Sequence, residues 1–218
     1  MKEFIYAAGL MTLLFSQVSQ ANTLIMPGFF EPNLIGAGGI LDSEFGSENL
    51  QRINDDLDQY WNVTTDQVTV TAVAKYAGFS QNFGFIDSSD NFTSLLHVPY
   101  MGAQTGTFSL ADPALPFRFG LDPDGSPLFS SDPADNISCG WFFCSSHEDH
   151  MVSWLITDGL YAGDYILAWE DLKFLGDRDY NDLVLRVSGV SIVPVPTAAW
   201  LFISGLFALI TVSRRRRV

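Results

Sequence analysis

Basic side chains are scarce in this chain, with 11 Lys and Arg against 25 Asp and Glu over 218 residues. A nucleic-acid binder needs a basic footprint, and this composition excludes one. Cysteine is limited to Cys139 and Cys144, enough for a single bridge. Apolar residues at the 3.6-residue helical period are rare. No internal repeat and no long low-complexity linker divides the chain, so one domain is the simplest count. The G-x-S-x-G elbow, the phosphate-cradling glycine loop and the H-E-x-x-H helix are all missing. Without them an enzymatic reading has no familiar starting point, and the sequence reads as a non-enzyme.

The two ends differ in character from the middle. Met1-Lys2-Glu3 precedes an apolar run from Phe4 to Phe15, and Ser19 and Ala21 stand where a signal peptidase reads small residues. Residues 1–21 are therefore expected to be a signal peptide, cleaved after Ala21. At the other end, positions 197–212 carry no charge, and at about 1.5 Å per helical residue they span roughly 24 Å, a short transmembrane helix. Trp200 suits the membrane interface, and Arg214, Arg215, Arg216 and Arg217 follow on the side that the positive-inside bias assigns to the cytoplasm. Removing Lys2, Glu3 and those four arginines leaves 6 basic and 24 acidic residues in a body of formal charge −18. Cations are natural partners for it. In an exported body, Cys139 and Cys144 are expected to pair and close a small loop.

The body, residues 22–192, reads as all-β. Short β-rich runs recur between Gly, Pro, Asn and Asp: 67–76, 84–86, 95–98, 107–110, 116–119, 151–156, 161–169 and 183–193. Such a series suggests a β-sandwich or jelly-roll, with the abundant Phe and Trp filling its core. One short N-terminal helix is expected from Ser47 to Leu57, where Leu50, Ile53 and Leu57 share a helical face and Ser47 can cap. Asp122-Pro-Asp-Gly-Ser126 and Ser131-Asp-Pro-Ala-Asp-Asn136 are turn chemistry.

The stretch from Trp169 to Val187 concentrates the oxygen ligands. Asp177, Asp179 and Asn181 alternate as in the first half of a calcium loop, Asp182 follows, and Glu170 and Asp171 are more distant candidates. An EF-hand is ruled out, because Asp182 stands where that loop needs Gly and Ser188 where it needs Glu. Two readings remain open: another kind of calcium loop, or a metal-free turn in which Asp and Asn bond nearby N–H groups while Arg178 neutralises a neighbour. A third role, a glycosidase pair drawn from Glu170, Asp171 or Asp179, requires two carboxyls facing each other across a sugar-sized cleft. Cys139, Cys144, His147 and His150 superficially suggest zinc, but the interval between the pairs is too short for the usual fingers. His150 suits the end of a strand.

Two resemblances add to this. Val193, Pro194, Val195, Pro196, Thr197 and Ala198, followed by a glycine-containing apolar helix and the arginine tail, resemble the PEP-CTERM sorting signal in its V-P-x-P-A variant, with Val195 in place of the name-giving Glu and Thr197 in place of the usual Ala. The resemblance implies that residues 193–218 are recognised by an exosortase of a Gram-negative bacterium, processed near Pro194 to Pro196, and that the body reaches the cell surface or an exopolysaccharide matrix after transient residence in the inner membrane. Within the body, Ala77 to Gly84, Asp149-His-Met151, Trp169-Glu-Asp-Leu172 and Gly176 to Leu183 resemble a bacterial domain of unknown function with a W-E-D-L…G-D-x-D-[YF]-N-D signature, common in exported surface proteins. In place of its glycine-rich link this chain has Lys173-Phe-Leu175.

Together these point to an exported, surface- or matrix-associated protein without enzymatic activity, with calcium as the expected cofactor and exopolysaccharide as the expected associate. A secreted glycan hydrolase and a permanently membrane-anchored binding protein are the alternatives.

Overall fold

The computed structural model describes residues 31–99, 104–110, 112–124, 126–139 and 144–193. The expected signal peptide, the expected membrane helix and sorting motif beyond Val193, and the arginine tail lie outside the described residues. Among the described residues no helix is long and apolar enough to cross a membrane.

The chain is all-β. Its strands, in order, are β1 (Leu50–Arg52), β2 (Trp61–Val63), β3 (Val68–Ala74), β4 (Gln81–Ile86), β5 (Phe92–Val98), β6 (Thr105–Phe108) and β7 (Arg118–Pro123). They continue as β8 (Phe129–Ser130), β9 (Ile137–Cys139), β10 (Cys144–Ser146), β11 (Met151–Ile156), β12 (Tyr165–Trp169), β13 (Leu183–Ser188) and β14 (Val190–Ile192). One sheet has the order β1-β11-β12-β13-β3-β6, another β5-β4-β7-β8, and β14-β2 and β10-β9 form two-stranded pairs. Every pairing is antiparallel.

Alternation along the strands explains how the core is divided. Tyr165, Leu167 and Trp169 of β12 join Phe83, Phe119, Leu121 and Phe129 of the four-stranded sheet in one core, so the two sheets share it. The intervening Ile166 and Ala168 point to the opposite face, where they pack with Trp154, Val184 and the N-terminal Leu34, Ile40 and Leu41. The six-stranded sheet is thus covered on both faces, which is why β12 is buried along its whole length. Trp61, fully buried, meets Phe119 and Tyr165 edge-on and donates its indole N–H to Asp58 O.

The short helix forms elsewhere than expected. It is α1 (Ile40–Phe45), whereas Ser47–Asn49 is a single 3₁₀ turn leading into β1. The apolar spacing of Leu50, Ile53 and Leu57 serves three environments instead of one helical face. Leu50 packs toward the outer core, Ile53 enters the inner core, and Leu57 stays 36% exposed. Pairing of Leu50 to Arg52 with Ile156 to Trp154 satisfies the backbone better than an isolated turn could. The run 183–193 is broken into β13 and β14 by Gly189 (φ 81°), where a side chain would collide with Thr65 Oγ1. Asp132 caps the 3₁₀ turn Pro133–Asp135 by accepting from Ala134 N at 2.9 Å, in keeping with the turn chemistry of that segment.

Candidate functional site

The acidic stretch is the loop of a β-hairpin. Trp169 on β12 pairs with Leu183 on β13, and residues 170–182 leave the sheet between them. Phe174 and Leu175 (both φ 63°), Arg178 (φ 64°) and Tyr180 (φ 54°) all occupy the left-handed region. Each such residue costs about 1 kcal/mol or more, so the loop keeps its shape only because its surroundings over-determine it.

The anchors come from distant parts of the chain. Asp171 N donates to Asp182 Oδ2 at 2.9 Å, and Gln81 Nε2, at the start of β4, donates to Asp171 Oδ2 at 2.7 Å. Tyr180 Oη donates to Asp149 O at 2.8 Å, and Phe174 N to Glu148 Oε2 at 3.2 Å. Asn181 Nδ2 bonds Asp179 Oδ2 at 2.6 Å and Pro32 O at 3.2 Å, fastening the loop to the N-terminal segment. His150 packs flat against Phe129, with ring centroids 3.7 Å apart, and bonds Glu170 O through Nδ1 at 2.9 Å. Its burial lowers its pKa, so it is a neutral structural residue at the start of β11. Cys139 and Cys144 form a disulfide across the β9–β10 pair, so neither sulfur is a zinc ligand.

The six expected cation ligands do not converge on one point. Glu170, Asp171 and Asp182 bring a carboxylate oxygen each within 4.8 Å of one another; Asp177 and Asp179 do the same with Glu31. The first group is inside the protein, with Glu170 0% and Asp171 2% exposed. The second is at the surface. Asn181 lies beside Asp179, giving its amide N–H to Asp179 and to Pro32 O, while its Oδ1 accepts no hydrogen bond. The backbone turns between Asp177 and Asp182 through two left-handed residues, Arg178 and Tyr180.

The inner group is electrostatically tense. Burial raises the pKa of Glu170, Asp171 and Asp182; Asp171 and Glu170 push Asp182 up further, whereas the hydrogen bond with Asp182 holds Glu170 and Asp171 down. Neither oxygen of Glu170 has a hydrogen-bond donor, although the carboxyl lies beside that of Asp182. Two carboxylates at that range bond only through a shared proton or a cation. Lys75, 2% exposed, is the nearby positive charge: it donates to Ala77 O at 2.9 Å and favours ionised Asp171 and Asp182. Three carboxylates and one ammonium leave a formal deficit of two positive charges. Gln81 Oε1 and Asn181 Oδ1 are also buried without a donor. Gly176 (φ 38°) allows the loop to close over this group, because a Cβ there would collide with Glu170 Oε1.

Glu31, Lys75 and Gln81 take part in these groups, and sequence reading did not single them out. Lys75 carried a legible signal, a lone lysine ending an apolar β run; Glu31 carried none, being 146 residues from Asp177 in the chain.

Residues 103–190 match the family model described as domain of unknown function (DUF4114). The match takes in the whole acidic hairpin and ends where β14 begins. A comparison with curated proteins gives no match.

Proposed function

We propose that this is an exported, non-enzymatic surface or matrix protein whose all-β body is a sandwich locked at one edge by a calcium ion. The observation that carries the cation is the inner carboxylate group, in which both Glu170 oxygens are buried without a donor. A hard divalent cation collects oxygen ligands at 2.3–2.6 Å, matches the charge deficit left after Lys75, and supplies what those oxygens lack. Glu170, Asp171 and Asp182 would hold it, with Gln81 Oε1, on the amide that bonds Asp171, as a further oxygen. The cation would hold the strained hairpin loop against β4 and so stabilise the edge of the fold.

The same arrangement counts against a hydrolase. A glycosidase needs carboxyls on either side of a cleft that admits a sugar, whereas Glu170 and Asp171 are sealed. Export, exosortase processing and delivery to an exopolysaccharide matrix rest on the two chain ends. Thermal melting in calcium and in chelator tests the cation, and equal Tm values would exclude it. The mass of the C-terminus of surface protein tests the sorting. A retained Arg214 to Arg217 would favour the permanently anchored alternative.

A further inference from the structure

Beside the acidic loop lies a cavity of about 440 Å³, lined by Asn33, Arg52, Trp154, Arg178, Asp179 and Tyr180 among others. Two of the six basic residues of the body meet there, in a chain where acidic residues outnumber basic ones. Other arginines are consumed internally: Arg118 by Asp90 and Asp135, Arg186 by Asp164 and the ring of Tyr161. Arg178 differs, since it makes no hydrogen bond or ion pair among the described residues. Arg52 is the fixed partner. Its guanidinium lies 4.8 Å from the centre of the Trp154 ring and donates to Ile53 O, Ser153 O and Asp55. Three of the five donors of a guanidinium are thereby used and two remain.

We infer that this cavity binds an acidic sugar residue, a uronate of an exopolysaccharide, with its carboxylate on Arg178 and Arg52. The inference deepens the matrix-association reading above and rests on it. Planar guanidinium groups match a carboxylate bidentately, which a lysine pair would not. Leu34 and Val152 supply an apolar wall for the C–H face of the ring, and Asn33 and Asp179 offer amide and carboxylate groups to its hydroxyls. The volume falls in the range that holds small ligands, roughly 300–1,000 Å³. Ile35, 63% exposed, sits at the rim. Long-range repulsion from the acidic body is screened beyond about 8 Å at physiological salt, so the local arginines decide the binding. Because Arg178 lies between Asp177 and Asp179, a cation near those carboxylates would strengthen the site by neutralising the charges next to it.

The test is titration of the full exported body with cellobiouronic acid and with cellobiose, which differ by one carboxylate, followed through the Trp154 indole N–H resonance. Saturation by the uronate at about 1 mM or below, with at least tenfold weaker binding of cellobiose, is expected. Arg178→Gln should weaken the uronate about tenfold or more and leave cellobiose unchanged, and Arg178→Lys should fall between. Equal affinity for both sugars, no saturation by either, or an unaltered Arg178→Gln protein of native Tm would overturn the proposal. Each titration is run in calcium and in chelator. Uronate binding without any calcium-dependent Tm shift would remove the calcium reading alone, whereas calcium stabilisation without uronate binding would remove this one alone.

Discussion

Replacing Glu170 with Gln preserves the shape of the side chain and removes one charge from a group whose three carboxylates approach within 4.8 Å. At that separation and an effective dielectric constant near 20, each like-charge pair costs roughly 3.5 kcal/mol. Lys75 and proton uptake offset part of this, so the net relief on removing Glu170 at pH 8 should be on the order of 1–3 kcal/mol. In chelator, therefore, Glu170→Gln should melt above the wild type. In calcium the order should invert. A ligand at one hundred times its Kd stabilises the wild type by about 2.7 kcal/mol, and the variant has lost a charged ligand. For a domain of this size 1 kcal/mol moves Tm by about 2–4 °C, so the crossing is measurable by circular dichroism or scanning fluorimetry. A variant that melts below the wild type by the same margin in both conditions would refute the reasoning, because Glu170 would then be stabilising through partners within the fold.

The remaining predictions concern pH, backbone and cross-links. Burial first, and neighbouring carboxylates second, raise the pKa of Asp58 and Asp149 to about 7 and also raise Glu170, Asp171 and Asp182. A raised carboxylate binds its proton more tightly folded than unfolded. Its contribution is full below the ordinary carboxylate range near 4 and is lost as pH rises through about 7 for Asp58, Asp149 and Glu170 and through about 9 for Asp182. Chelated protein should therefore lose Tm between about pH 5 and about pH 9, and calcium should flatten that slope, as a melting series at both conditions would register. Gly176→Ala combines a strained φ with a collision at Glu170 and should cost at least 1–3 kcal/mol in urea unfolding. Converting both Cys139 and Cys144 to Ser opens a short loop and should cost no more than about 2 kcal/mol, readable as a small Tm loss under non-reducing conditions. Trp61→Ala, which empties a fully buried site beside Phe119 and Tyr165, should cost about 3–5 kcal/mol in the same unfolding assay.

The all-β class was legible because period-two patterning and β-branched composition are local properties. The runs at 67–76 and 151–156 became β3 and β11 with little change at their ends. Leu50, Ile53 and Leu57 misled because two- and three-residue strand fragments separated by turns can imitate helical spacing. The short strands β1, β2, β8, β9 and β10 are defined by their partners, so they carry little pattern of their own.

The candidate cation ligands show the same division at finer scale. That residues 170–182 carry an excess of oxygens is written in the chain, and so is the pairing of two cysteines five positions apart. Sequence alone also determined the acidic balance of the chain, 25 Asp and Glu against 11 Lys and Arg. Only tertiary structure decided which oxygens meet. Left-handed residues at Arg178 and Tyr180 send Asp177 and Asp179 outward to Glu31, while the Trp169–Leu183 pairing draws Glu170, Asp171 and Asp182 inward beside Lys75 and Gln81. Spacing along the chain fixes how many ligands a loop owns. Their burial, their charge partners and the cavity at Arg178 follow from strands whose positions in sequence are as far apart as β1, β4 and β13.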